Sequence, residues 1–466
     1  MRSGGRARSV RAMQHRHERT TGTRSQIRIA GLASGWLLAF AAASAGPARA
    51  QLHAGTAAAD SSSVARAHFS VAVNAMRGGD LGAARSALER ASSAWPGQEA
   101  YIWYRAVIGA RQRDTAAVIA ALEEYARLGL GRDLRDTTFD PFREVPAFAR
   151  LAETHRANRT VLARSQILHT LDDSTMWPEA VDADAVTGKL YVSSIRRRTI
   201  IEVDRHGHQR VVIPTGTAGV GSVMGVRVGA GGVLWATTVG MRAMDNWPAG
   251  DTTAALLQIR IADGAVLHRF PLDPADTHIP GDLAVAPNGD VFVTDSRAPY
   301  LYWLRAGADT LEPITNPLFR SLQGVAVGNN PGIVFLADYS HGLLRLDLAS
   351  QAVTRISEPA RTTTLGIDGI ALRGNDIIAV QNGVSPARIM RYQLDATGIA
   401  IARAEVLDRN WKIADEPTIG TIVGDRFVYV ANSQWEQHAP DGTPRPDARL
   451  RPPVLLALPL PIERPR

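Results

Sequence analysis

Two rhythms of apolar and polar residues divide the chain. Over residues 62–157 apolar positions recur at i and i+4, as in Ala67, Val71, Ala75 and again in Ala84, Leu88, Ala91, the period of a helix with one buried face. Gly78-Gly79-Asp80 breaks the first helix and starts the second, and Pro96 ends it. A second helical pair is predicted from about Glu99, with Tyr101, Trp103 and Tyr104 on its first helix and Leu122 and Tyr125 on its second, turning at Arg113-Asp114. Phe139-Asp140-Pro141-Phe142 to Leu151 is a shorter closing piece.

From Gln166 onward the helical rhythm stops. Short β-branched runs follow, separated by Gly, Pro, Asn and Asp, and they recur as six units. Each unit opens with an apolar strand: Glu179-Ala180-Val181, Met224 to Val228, Asp282 to Val285, Gln323 to Val327, Asp368 to Leu372 and Thr418 to Ile422. Turns such as Thr187-Gly188, Gly231-Gly232, Asn288-Gly289 and Pro331-Gly332 come next, then a second strand, as in Leu190-Tyr191-Val192 and Phe427 to Val430. Successive openings lie 45, 58, 41, 45 and 50 residues apart. Four short strands with turns need roughly 40–50 residues, which is one propeller blade. The long interval implies an insertion around Met241–Thr253, and the sixth unit carries a Pro-rich loop from Gln437 to Pro453 before a last strand, Val454–Leu458. The sixth unit is then one strand short, and Gln166–Leu171 has no other place. It is expected to pair there and close the ring, which removes a free sheet edge. The expected fold is mainly β with an α domain: a six-bladed β-propeller preceded by a small helical domain.

The helical part resembles the tetratricopeptide repeat, with Ala72, the Gly79-Asp80 turn, Ala84, Leu88, Ala91 and Pro96 at that family's spacing. That resemblance implies a groove for a peptide or protein partner. The bland alternative is a helical domain that packs on its neighbour.

Charge changes the picture once its position is known. The chain carries 52 Lys+Arg against 45 Asp+Glu, a net charge of +7. Nine of the arginines, against the single acid Glu18, lie in residues 1–50, so the rest holds 43 bases and 44 acids. The excess belongs to an Arg-rich start followed by an apolar stretch from Ile29 to about Ser44 and by Ala48-Arg49-Ala50. This is the layout of a signal peptide cleaved after Ala50. Residues 51–61 read as a linker, 62–160 as the helical domain and 161–466 as the propeller, closed by 166–171. The expected location is periplasmic or secreted, with no stable membrane span after processing. The nearly neutral remainder speaks against nucleic acid as a partner. The chain has no cysteine, which removes disulfides and thiol chemistry.

Candidate chemistry sits where the six units begin. In a propeller the first strand of each blade lines the central channel, so residues at its start converge on the channel mouth. Here they are Glu179, Met224, Asp282, Gln323, Asp368 and Glu416 or Thr418. Carboxylates meeting there would repel unless a cation lay between them. Their hard oxygens suit Ca²⁺ first, with Mg²⁺, Mn²⁺ or Zn²⁺ as alternatives.

Trp177-Pro178-Glu179-Ala180-Val181-Asp182, Thr187 to Ser194, Gln323 to Val327 and Asp368-Gly369-Ile370-Ala371 resemble the senescence-marker-protein/gluconolactonase-like six-bladed propellers, over roughly residues 170–460. The chain is more loosely similar to NHL-type binding propellers. The closer resemblance implies a divalent metal held by Glu179, Gln323 and Asp368, with Asp368 also serving catalysis. The metal would polarise a lactone carbonyl and activate water. Gln323 stands where that family has Asn, one methylene shorter. Asp282 matches a family position that touches substrate, and Met224 and Glu416 are the further candidates for a small-molecule ligand at the mouth. The looser similarity implies a non-catalytic scaffold for ligand or protein binding. Asp295, Asp338, Asn382 and Asn432, at second-strand ends, read as turn caps, and Asp368-Gly369 is also an ordinary turn dipeptide. Arg196-Arg197-Arg198 and His206-Gly207-His208 read as polar turns. No nucleophile-elbow, Walker, zinc-protease or dinucleotide motif appears.

Overall fold

The computed structural model describes residues 61–439 and 441–461. The leader and the linker expected at 51–60 lie outside the described residues. No helix among the described residues is long and apolar enough to cross a membrane.

Helices α1 (Ser61–Arg77) and α2 (Leu81–Ala94) form one hairpin, and α3 (Glu99–Arg111) and α4 (Thr115–Arg127) form a second. The aspartates foreseen at the turns are N-caps: Asp80 accepts from the Ala83 N–H at 2.9 Å and Asp114 from the Ala117 N–H at 3.0 Å, satisfying donors that a helix start leaves open. Ala72, Ala84, Leu88 and Ala91 are buried between the helices of the first hairpin. A 3₁₀ turn (Thr137–Phe142) and α5 (Pro146–Asn158) complete this part, with Phe139, Phe142 and Phe148 packed together.

The remainder is a six-bladed propeller of four-stranded antiparallel sheets. The inner strands are Pro178–Ala183, Ser222–Gly229, Pro280–Val285, Leu322–Val327, Ile370–Arg373 and Gly420–Val423. In the sixth sheet Gln166–Thr170 is the outermost strand, paired antiparallel to Val454–Pro459. The sheet edge left open by the C-terminal part of the chain is thus covered by a segment nearly 300 residues earlier in sequence.

Glycines set how tightly the ring closes on its axis. A Cβ at Gly225 would lie 2.6 Å from the Gly281 carbonyl, and one at Gly324 would lie 2.6 Å from the Ile370 nitrogen. Neighbouring inner strands therefore meet backbone to backbone. Asp368-Gly369 belongs to this set and is not a turn: the Asp368 N–H donates to Val380 O and the Val380 N–H to Gly369 O, both at 2.8 Å.

The helices dock on blades four and five. Trp95 donates its indole N–H to Ser340 O at 2.8 Å and stands edge-on to His341 at 4.3 Å. Ile102, Tyr125, Leu128 and Leu130 share one apolar cluster with Val384 of the propeller. The Gly131 N–H donates to Ser385 O at 3.0 Å. The face of the helical part that carries these residues packs on the propeller.

Candidate functional site

A β-bulge aims the channel-mouth residues. The inner-strand register shifts between Pro178 and Val181, Val223 and Val226, Pro280 and Leu283, and Leu322 and Val325. Glu179, Met224, Asp282 and Gln323 lie within these bulges, where a strand turns a side chain off its ordinary face. In blades one to three a second-strand hydroxyl fixes the bulge. Ser193, Thr237 and Thr294 accept from the N–H of Ala180, Gly225 and Asp282, at 2.9, 2.7 and 3.1 Å. Each donates onward to a carbonyl of the next blade: Met224, Gly281 and Gln323. The bulge residues are thereby held in register from blade to blade.

Glu179 is 4% exposed, and its Oε2 accepts from the Trp435 indole N–H at 2.7 Å and the Ser433 hydroxyl at 3.2 Å. Burial, then the neighbouring Asp368 carboxylate, hold its pKa well above the ordinary range. Asp368 is 5% exposed and is raised in the same direction by burial, against the Asn382 amide that donates to its Oδ2 at 2.7 Å. Asn382 also donates to Pro417 O at 3.0 Å and accepts from the Tyr339 hydroxyl at 3.3 Å. The Gln323 amide N–H donates to Ser321 Oγ at 3.1 Å. These bonds engage Oε2 of Glu179, Oδ2 of Asp368 and the amide nitrogen of Gln323.

Two expectations are corrected. Met224 is packed with Trp177, Ile195 and Trp235 in an apolar cluster, so its side chain fills core and is not a ligand contact. Asp282 is fully buried, ion-paired to Arg227 at 2.8 Å and bonded by the Leu283 N–H at 2.8 Å. Burial still lifts its pKa to about 6. It braces the channel wall and is committed there, so contact with substrate is not its role. Glu416 is half-buried, accepts from the Glu436 N–H at 3.3 Å, and is raised well above its usual pKa by burial, Glu436 and Glu179.

Asp368 and Gln323 open onto a cavity of about 350 Å³ between the helices and blades three to five, also lined by Tyr339, Asn382, Arg66 and Tyr101. Tyr339 and Asn382 were not singled out for this site from sequence. Asp295 and Asp338 end their strands and cap backbone as expected, Asp295 accepting from the Arg297 N–H at 2.9 Å and Asp338 from the Arg320 N–H at 2.7 Å. Asn382 lies one residue beyond the strand end at Gln381, and its amide, unlike an aspartate, can donate to a carboxylate. The Arg196–Arg198 run pairs with Asp245 of the blade-two insertion and with Asp173. His208 pairs with Asp204 at 2.9 Å in an exposed turn.

The residues suit a hard divalent cation through two carboxylates and one amide oxygen. Among the described residues no three acidic, cysteine or histidine side chains group closely enough to hold a metal ion by themselves.

No family model matches the sequence, and no curated protein matches it. Solved structures similar to the chain are propellers of the gluconolactonase, regucalcin and virginiamycin B lyase kinds. A gluconolactonase from Xanthomonas campestris is 16% identical, over 66% of this chain and 93% of that one, with a TM-score of 0.43. Regucalcin from Agrobacterium tumefaciens, a calcium-binding protein, is 14% identical over 64% and 95%, with a TM-score of 0.42. Virginiamycin B lyase from Staphylococcus aureus is 14% identical over 63% and 98%, with a TM-score of 0.43.

Proposed function

We propose that this chain is an exported, divalent-metal-dependent propeller hydrolase acting on small lactones or related esters. One observation carries the reading: Glu179 and Asp368 are both buried at the channel mouth, where burial raises the pKa of each and the Asp368 carboxylate raises that of Glu179 further. Two such carboxylates are costly as a bare pair and become favourable around a cation. Glu179, Gln323 and Asp368 would hold it, Ca²⁺ being the best match to these oxygens. The bound cation would supply Lewis-acid polarisation of a carbonyl and a more acidic water. The chain's own residues supply orientation. Trp435 and Ser433 fix one oxygen of Glu179, and Asn382 fixes one oxygen of Asp368. Asp368, facing the cavity, is placed to take a proton from water. The Arg-rich, then apolar, residues 1–50 support export to the periplasm or beyond.

Metal analysis of purified protein tests this reading, wild type against Glu179→Ala with Asp368→Ala. Stoichiometric metal in the wild type and its loss in the double variant are expected, with chelator-sensitive turnover of a lactone panel. Equal and negligible metal in both would end the hydrolase reading. It would favour a non-catalytic ligand-binding propeller, a reading that Gln323 supports because its longer side chain departs from the family's Asn.

A further inference from the structure

One segment of blade four joins the helices to Asp368. Ser340 takes three donors from the helical part: the Trp95 indole N–H at 2.8 Å and the Gln98 amide at 3.1 Å on its carbonyl oxygen, and Arg66 at 3.4 Å on its hydroxyl. From the propeller side, Asp338 Oδ1 accepts from the N–H groups of Ser340 and His341, both at 2.9 Å. The residue before Ser340 is Tyr339. Its N–H donates to Ser321 O and its carbonyl accepts from the Gly366 N–H, both at 2.9 Å, so its backbone is held on both sides. Its side chain runs to blade five, where Gly383 leaves room for it: a Cβ at Gly383 would collide with the phenol oxygen. The hydroxyl donates to Asn382 Oδ1 at 3.3 Å. The amide nitrogen of Asn382 has two hydrogens to give, and two acceptors receive them, Asp368 Oδ2 at 2.7 Å and Pro417 O at 3.0 Å. Turned over, the amide would set its oxygen against a carboxylate and a carbonyl. Burial, then the Asp368 and Glu416 carboxylates, hold the Tyr339 pKa above its ordinary range, so the hydroxyl keeps its proton and remains a donor.

We propose that Tyr339 is a positioning residue: it fixes the Asn382 amide on Asp368, and the helices, by holding Ser340, hold Tyr339 in place. The helical part thereby has a task at the site besides lining the cavity. Without the phenol hydroxyl, Asn382 Oδ1 loses a donor in a place where water does not readily replace it. The amide can then rock about its last side-chain bond, and Asp368 loses the fixed donor on Oδ2. With Trp95 detached from Ser340, the phenol itself can shift, with the same result at Asp368. The inference rests on the hydrolase reading only for the use to which Asp368 is put. The positioning itself needs no metal.

The test is nuclear magnetic resonance on the full chain in chelator, isotope-labelled at asparagine side chains. The Asn382 amide pair is identified by its loss in Asn382→Leu. Its exchange with water is measured against that of the other asparagine amides, which corrects for any general loosening. It should be slow in the wild type and about tenfold faster in Tyr339→Phe, the scale of one lost hydrogen bond. Trp95→Phe keeps an aromatic ring against His341 but removes the indole donor, and it should speed the same exchange by about threefold. The double variant should match Tyr339→Phe alone, because the helices act through that residue. Fast exchange in the wild type overturns the proposal, as does a Tyr339→Phe protein whose Asn382 amide exchanges as before. Full additivity of the two changes also overturns it, since the helices would then not act through Tyr339. Titration with Ca²⁺ separates this inference from the metal reading. Tyr339→Phe should weaken Ca²⁺ binding by about threefold, whereas a wild type that binds no Ca²⁺ ends the hydrolase reading and leaves the exchange result standing.

Discussion

At the scale of single residues, the site is a matter of which acids have been answered by the fold. Asp282 stands one residue further along its inner strand than Glu179 does on its own, since Thr294 takes the Asp282 N–H as Ser193 takes that of Ala180. Arg227 and two backbone N–H groups answer it, and burial lifts it only to about 6, against about 8 for Glu179 and about 7 for Asp368. In the unfolded chain both acids return to ordinary values near 4. Between those limits the native state binds more protons than the unfolded state, so stability is full at low pH and lost as pH rises. Metal-free protein should therefore melt at falling temperatures from about pH 4 to about pH 8 and level off above. Glu179→Gln should flatten that slope, and added Ca²⁺ should restore the melting temperature at the alkaline end. A flat profile in chelator would mean that the two carboxylates do not repel. The acids at the inner-strand starts were legible in the repeat, but Arg227 was not. It lies on the inner strand of blade two, and the packing of adjacent blades brings it against Asp282.

At the scale of elements, the inner strand works through its irregularity. A regular strand would alternate its side chains, whereas the bulge and the hydroxyl of Ser193, Thr237 or Thr294 turn one residue into the mouth. Asp368-Gly369, which also reads as a turn dipeptide, is instead a close approach between blades, a Cβ on Gly369 lying 3.0 Å from Ile419 Cα. Ring closure is the other element-level event. The strand Gln166–Thr170 adds little burial of its own, with Ile167 54% exposed, but it covers the edge of Val454–Pro459. Deleting residues 166–171, and joining the helices to Asp172 through a flexible linker, should leave that edge open. Light scattering should then report association at concentrations where the wild type stays dispersed. Unchanged scattering would show that the edge needs no cover. The apolar alternation of these strands is visible in sequence, but pairing across nearly the whole propeller is not a local property.

At the scale of the molecule, the helices are a cap over one sector of the propeller rim. Their aromatic residues divide between two tasks. Phe69 and Tyr104 pack within the helices, while Trp95 reaches the propeller at Ser340 and His341. Trp95→Ala should loosen the cap by about 2 kcal/mol or more, the scale of an anchoring aromatic residue at an interface. Faster amide exchange in α1, α2 and the cavity loops, with the outer blades unaffected, is the expected reading by mass spectrometry. Uniform exchange throughout would mean that the cap is not held at this point.

The sequence by itself determined the helical and β-rich halves, six blades, their inner strands and the acids at their starts. Those features follow from the period of side-chain burial and from a repeat length, both local. Only the tertiary structure decided which acid is paired, which amide orients Asp368, and that the helices share a cavity with the channel mouth. Those outcomes depend on contacts between separate strands, blades and helices, where burial and a neighbour's charge, rather than spacing along the chain, set what a side chain can do.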